Sequence, residues 1–182
     1  DALGFSVEVL WMAPGLPDRL FGFEPRPLHR RPQPDDQHVE ARVRVGAPVG
    51  RVWDVLCDHE AMSEWAGFDR VAVTRAAPAS ANGVGTERVL SGSYGVVAEQ
   101  IVGVEPLRCL RYRAIEGAPF HYHRGEIRLR EVEGATEVCW RIGFRGKWPL
   151  AGRILRARMR PMLRRALEDG LEPYVERAAA AR

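Results

Sequence analysis

The feature that most constrains this chain is a run of six strand-like segments with gaps too short to hold a crossover helix, followed by one long helical segment. The segments are roughly 71–75, 86–90, 94–104, 109–115, 122–132 and 137–145, rich in β-branched and aromatic residues with period-two alternation. Turn-forming residues separate them: Asn82-Gly83, Ser91-Gly92-Ser93, Glu105-Pro106, Glu116-Gly117 and Glu133-Gly134. A parallel connection needs about a dozen residues or more, so these gaps impose antiparallel hairpins. Downstream, Leu155, Met159, Met162, Ala166, Gly170 and Tyr174 recur at three- and four-residue steps, the spacing of a helix with one apolar face. Pro161 lies inside that pattern and predicts a kink or break just before it.

Upstream, His38–Val45 alternates valine and alanine with charge and reads as a strand. Ala47-Pro48 opens a helix whose apolar face is Val49, Val52, Trp53 and Leu56. A second short helix is expected over about Glu60–Trp65, with Asp58 as its N-cap. The fold class is therefore α+β: a curved antiparallel sheet of six to seven strands wrapped around a long C-terminal helix, with two short helices after the first strand. One helix cannot fill the concavity of so large a sheet, so a cavity beneath it is expected.

A length of 182 residues fits one domain plus a small appendage. Residues 1–37 form that appendage, a proline-rich extension holding Pro14, Pro17, Pro25, Pro27, Pro32 and Pro34, with an extra strand suggested by Phe5, Val7, Val9 and Trp11. Residues 38–182 form the ligand-binding domain. No apolar run approaches the roughly 20 residues of a membrane-spanning helix, and the start lacks a basic signal-peptide region, so the expected compartment is the cytoplasm. Cys57, Cys109 and Cys139 form no CxxC pair and read as reduced thiols.

Alternation sorts side chains between the two faces of the sheet. Thr136, Val138, Trp140, Ile142 and Phe144 point inward from the last strand, and Leu110, Tyr112 and Ala114 from the strand at 109–115. In the segment at 122–132, Ile127 and Leu129 mark the inner face, and His121, His123 and Gly125 fall in phase with them. In the segment at 94–104, Val96, Ala98, Gln100, Val102 and Val104 are placed inward and Glu99 outward; a bulge near Gly95 or Gly103 would reverse this. The candidate ligand-binding residues are thus Gln100, Tyr112, Ala114, Ile127, Leu129, Val138, Trp140 and Ile142, with Met159 and Met162 from the helix. Such a wall, mostly apolar with a few polar groups, suits a hydrophobic small molecule.

His121 and His123 are the candidate catalytic pair. Residues two apart on a strand share a face, and neutral imidazoles suit proton transfer near pH 7. As metal ligands they lack a third partner: no histidine follows, and Glu126 has the opposite parity. No metal and no cofactor are expected, since no GxSxG, GxxxxGK[ST] or GxGxxG sequence occurs. From Arg145 to Arg165 the chain carries eight basic residues and no acidic one, a stretch fit for an anionic membrane surface or an acyl carrier protein. The helix's apolar stripe is required by the core, so any membrane contact is expected to be peripheral and salt-sensitive. Nucleic acid is not expected as a partner, because Phe144 and Trp148 form no stacking ladder.

Four stretches together carry a resemblance: VRVGAPVGRVWDVLCDHEAMSEW at 43–65, GVGTERV at 83–89, EQIVGVEPLRCLRYR at 99–113 and HRGEIRLREVEGATEVCWRIGF at 123–144, followed by the C-terminal helix. Over about 38–178 the chain resembles the bacterial polyketide cyclase/dehydrase branch of the START-like superfamily, which shares its helix-grip fold with the major birch-pollen allergen. The resemblance implies a helix-grip domain that binds a lipid or polyketide-like molecule in an internal cavity, as carrier or sensor. It equally implies an alternative, a polyketide aromatase/cyclase or dehydratase using the same cavity.

Overall fold

The computed structural model describes residues 36–180, apart from positions 79, 81, 94, 118, 119 and 149. The extra strand expected near Phe5–Trp11 lies outside the described residues. Strand β1 (Asp36–Val45) leads into helix α1 (Val49–Cys57) and the single turn α2 (Met62–Trp65). Six strands follow: β2 (Arg70–Arg75), β3 (Glu87–Gly92), β4 (Gly95–Glu105), β5 (Cys109–Glu116), β6 (Phe120–Val132) and β7 (Ala135–Gly146). They pair antiparallel in the order β1-β7-β6-β5-β4-β3-β2. The meander β2–β7 is what the short turns require, and β1 closes it by pairing along β7 from Asp36↔Arg145 to Val45↔Thr136.

The outer face of the sheet is held in register by rows of opposite charge. Glu40, Arg141, Glu126 and Arg111 are successive cross-strand partners. Arg111 reaches Glu126 at 3.0 Å, and Arg141 is bonded to Glu40. An open groove of about 950 Å³ runs along this face, lined in part by Arg42, Arg128 and Arg130. Those arginines are already paired with Glu40, Glu126 and Glu137.

The inner face is covered by the C-terminal helix: α3 (Ala151–Arg165), a π-helical stretch (Ala166–Leu171) and α4 (Glu172–Ala180). Pro161 does not break it; α3 runs through that residue, and the irregularity comes downstream. Met159, Leu163, Leu167, Leu171 and Val175 are all buried at four-residue steps. Such a repeat drifts by about 40° per step around an α-helix of 3.6 residues per turn. The wider π turn absorbs an extra residue and keeps the stripe on the sheet. Gly170, within that turn, meets α2 so closely that an added Cβ would lie 1.8 Å from the Trp65 carbonyl oxygen.

Candidate functional site

Beneath the sheet, under the helix, lies a cluster of buried polar side chains. Its centre is Arg88, which is fully buried. β3 carries it inward opposite Glu99 of β4, its cross-strand partner. Arg88 Nε and Nη2 lie 3.0 and 2.8 Å from one oxygen of the Glu99 carboxylate. Its Nη1 is 3.1 Å from His59 Nδ1, in the turn between α1 and α2, and 2.9 Å from the Met62 sulfur. The guanidinium also sits 5.0 Å from the centre of the Tyr112 ring. Trp140 Nε1 donates to the Tyr112 hydroxyl at 2.7 Å. His123 closes the cluster, 6.1 Å from the Tyr112 ring and stacked on Phe120 at 5.2 Å, while Trp65 meets Trp140 edge-on at 6.0 Å. Gly125 makes room for this: a Cβ there would fall 1.9 Å from the Tyr112 ring.

The electrostatics follow from burial. Desolvation, with Arg88 alongside, pulls His59 down to about 3, so the ring is neutral at pH 7. A guanidinium can only donate, so His59 Nδ1 accepts from Arg88 and the ring proton resides on Nε2. His123 is likewise lowered, mainly by burial and further by Arg88, with Glu99 opposing. Burial and, secondarily, the Glu99 charge raise the Tyr112 phenol, which stays protonated. Nine in ten or more buried polar groups in folded proteins find a partner. Of the groups among the described residues that do not, three lie in this cluster: His59 Nε2, Trp65 Nε1 and His123 Nδ1. Two of these three, the His59 and Trp65 N–H groups, are donors.

The candidates read from the sequence are partly brought together here. Tyr112, Ala114, Ile127, Leu129, Val138, Trp140 and Ile142 are buried in the same core, joined by Met159 and, half-buried, Met162. Two assignments are corrected. Gln100 faces outward, bonded to Glu87 and Arg113, while Glu99 and Ile101 point inward. The cause is a bulge: pairing jumps from Ile101↔Tyr112 to Gly103↔Arg111, so Val102 is an extra residue and the phase set by Val104 inverts upstream. His121 does not share the face of His123. A second register shift, between Phe120↔Gly146 and Tyr122↔Arg145, leaves His121 as the bulged, exposed residue. The sequence reading missed His59, Met62, Trp65, Arg88 and Glu99. The usable signal was Arg88 in phase with Leu90, opposite an acid on the next strand.

Among the described residues no three histidine, cysteine or acidic side chains are grouped to hold a metal. No helix among them is long and apolar enough to cross a membrane.

A seven-stranded antiparallel sheet gripping a long helix is the helix-grip fold, which a START superfamily structure shares. More particularly, the chain belongs to the polyketide cyclase / dehydrase and lipid transport family, whose model matches residues 36–179. Among solved structures, a START superfamily protein from Mycobacterium smegmatis is 16% identical with a TM-score of 0.68, over 78% of this chain and 98% of that one. An aromatase/cyclase from Streptomyces sp. R1128 is 22% identical with a TM-score of 0.61, over 79% and 96%. A norcoclaurine synthase from Thalictrum flavum is 15% identical with a TM-score of 0.62, over 79% and 96%. No curated protein matches. At these identities the likeness is one of fold.

Proposed function

We propose that the protein binds a hydrophobic small molecule, lipid or polyketide-like, in the interior of its helix-grip domain, and carries or senses it. The observation behind this is the set of buried N–H groups without partners, Trp65 Nε1 and His59 Nε2, inside an apolar shell, with the His59 ring against a buried guanidinium. Donors fixed in a low-dielectric interior fit a ligand bearing an acceptor, such as a ketone, ester or carboxylate, on an otherwise apolar body. The family's association with lipid transport is consistent with such a cargo. One observation favours the alternative, aromatase/cyclase or dehydratase chemistry: the neutral His123 imidazole shares the cluster with the His59 Nε2–H donor and the permanent positive charge at Arg88, so His123 would take the proton while the other two stabilise an enolate oxygen.

Ala114→Trp tests the binding site. Ala114 is buried on the inner face of β5, and a bulky ring there competes with a ligand for space. A fluorescent fatty acid should bind the wild-type protein and bind the variant at least about tenfold more weakly, a loss of about 1.4 kcal/mol. Equal affinity in a folded variant would place the ligand elsewhere.

A further inference from the structure

The C-terminal helix carries a second apolar stripe on the side away from the sheet. Leu150, immediately before α3, is 66% exposed and Ile154 is 57% exposed. Ala157 and Pro161 are exposed too. At about 100° per residue these four align along one line of the helix, opposite the Met159–Leu163 stripe that enters the core. Arg153, Arg160 and Arg164 border the line on one side, Arg158 and Arg165 on the other, all exposed. Arg164 pairs with Glu168, but Arg153, Arg158, Arg160 and Arg165 have no carboxylate partner among the described residues. Trp148, 60% exposed, stands in the loop that enters this helix.

We propose that this outer face of α3 docks in the plane of an anionic lipid bilayer, with Leu150 and Ile154 set among the acyl chains, Trp148 at the headgroup level and the arginines on anionic headgroups. An exposed apolar line fenced by unpaired arginines has the pattern of an interfacial helix. Arginine stems lie along apolar surface while their heads stay with the phosphates. Tryptophan prefers that boundary. The absence of any acid from Lys147 through Leu167 leaves nothing to repel the headgroups. The location fits the carrier reading, on which the purpose of the docking rests. The loop holding Trp148 follows Gly146, which pairs with Phe120, and Phe120 stacks on His123 of the interior cluster. Docking would therefore set that end of the domain beside the bilayer. The sequence implied attraction by charge alone, because it assigned the helix a single apolar stripe; two stripes allow core packing and insertion together.

Co-sedimentation of the full chain with phosphatidylcholine vesicles, with and without phosphatidylserine, tests this. The wild-type protein should sediment with the anionic vesicles and not with the neutral ones. Ile154→Ser should weaken that binding about tenfold or more, the worth of a buried aliphatic side chain. Arg158→Glu should weaken it about fivefold or more, the worth of one basic residue at an anionic surface. Neither residue is part of the core, so thermal unfolding should be unchanged. Binding of a water-soluble fluorescent fatty acid, measured without vesicles, should also be unchanged in both variants. A wild-type protein that ignores anionic vesicles, or an Ile154→Ser protein that binds them as tightly as wild type, overturns the docking. Failure on vesicles with capture of an acidic carrier protein overturns it in favour of a protein partner. Intact vesicle binding with no fatty-acid binding by the wild type supports the docking and removes the carrier reading instead.

Discussion

Arg88→Met is the most informative single change in this molecule. The wild-type ion pair is almost fully withdrawn from water, with side-chain exposures of 1% for Arg88 and 7% for Glu99. Glu99 accepts both of its hydrogen bonds from Arg88, and His59 Nδ1 accepts from the same guanidinium. Removing the arginine strands a carboxylate in an apolar core, which costs about 3 to 5 kcal/mol. For a chain of this size each kcal/mol lowers the melting temperature by about 2–4 °C, so the expected drop is about 6–20 °C. The double variant Arg88→Met/Glu99→Leu removes both charges and leaves a shape-matched apolar pair. It should recover most of the loss or exceed the wild type, since buried ion pairs replaced by apolar groups are often neutral or stabilising. Calorimetry on the three proteins gives the stability comparison. Titration with a fatty acid and with its hydrocarbon analogue gives the functional one: the double variant should lose about tenfold or more for the carboxylate ligand, the worth of a hydrogen bond to a charged group, and little for the hydrocarbon. A single variant as stable as the wild type would refute the buried-charge argument. A stable double variant with unchanged preference for the carboxylate would remove Arg88 from ligand recognition.

Two further outcomes follow from the geometry. His59 has a native value near 3 against 6.5 for an ordinary imidazole, so the unfolded chain takes up its proton first as pH falls. Its contribution is intact above pH 6.5 and is lost on acidification, so the stability of wild type relative to His59→Asn should fall by about 1.4 kcal/mol per pH unit between pH 6.5 and about 3, read from urea midpoints. A flat difference would mean the ring is charged or solvated in the native state. Gly170→Ala places a methyl 1.8 Å from the Trp65 carbonyl oxygen, where only backbone could yield, and should cost about 1–3 kcal/mol or more in thermal unfolding. An alanine variant as stable as wild type would show that the helix and α2 sit further apart.

What the sequence made legible was whatever one uninterrupted period could carry. β7 alternates without a bulge, so Val138, Trp140, Ile142 and Phe144 are inside as their spacing implied. β4 has valines on both faces, and the phase assigned to it was right for Val104, which packs on the core, but wrong for Gln100, because the bulge that the sequence allowed for near Gly103 is present. Gly103 marked where that bulge could fall, but no such residue marks the bulge at His121, since a bulge changes parity without requiring any residue type. His59 was illegible for another reason: it sits in a turn, where no period applies, and only the inward Arg88 gives its position a meaning. The C-terminal helix was legible in extent but not in its second stripe, because Ile154, Ala157 and Pro161 look unremarkable until the buried face is known.

The pairing of β1 with β7 has a consequence for the order in which the chain can fold. Asp36 and Arg145, bonded through their side chains, are 109 residues apart in sequence. The hairpins from β2 to β7 need only their neighbours and can form one after another as the chain emerges from the ribosome. β1, made before all of them, has no strand to pair with until β7 exists. Closing a loop of that length costs about 4 kcal/mol of chain entropy, recovered only when ladder and core form together. Until then β7 presents an open edge and the inner face lacks its long covering helix, so this chain's greatest exposure to aggregation falls between the completion of β7 and the docking of that helix.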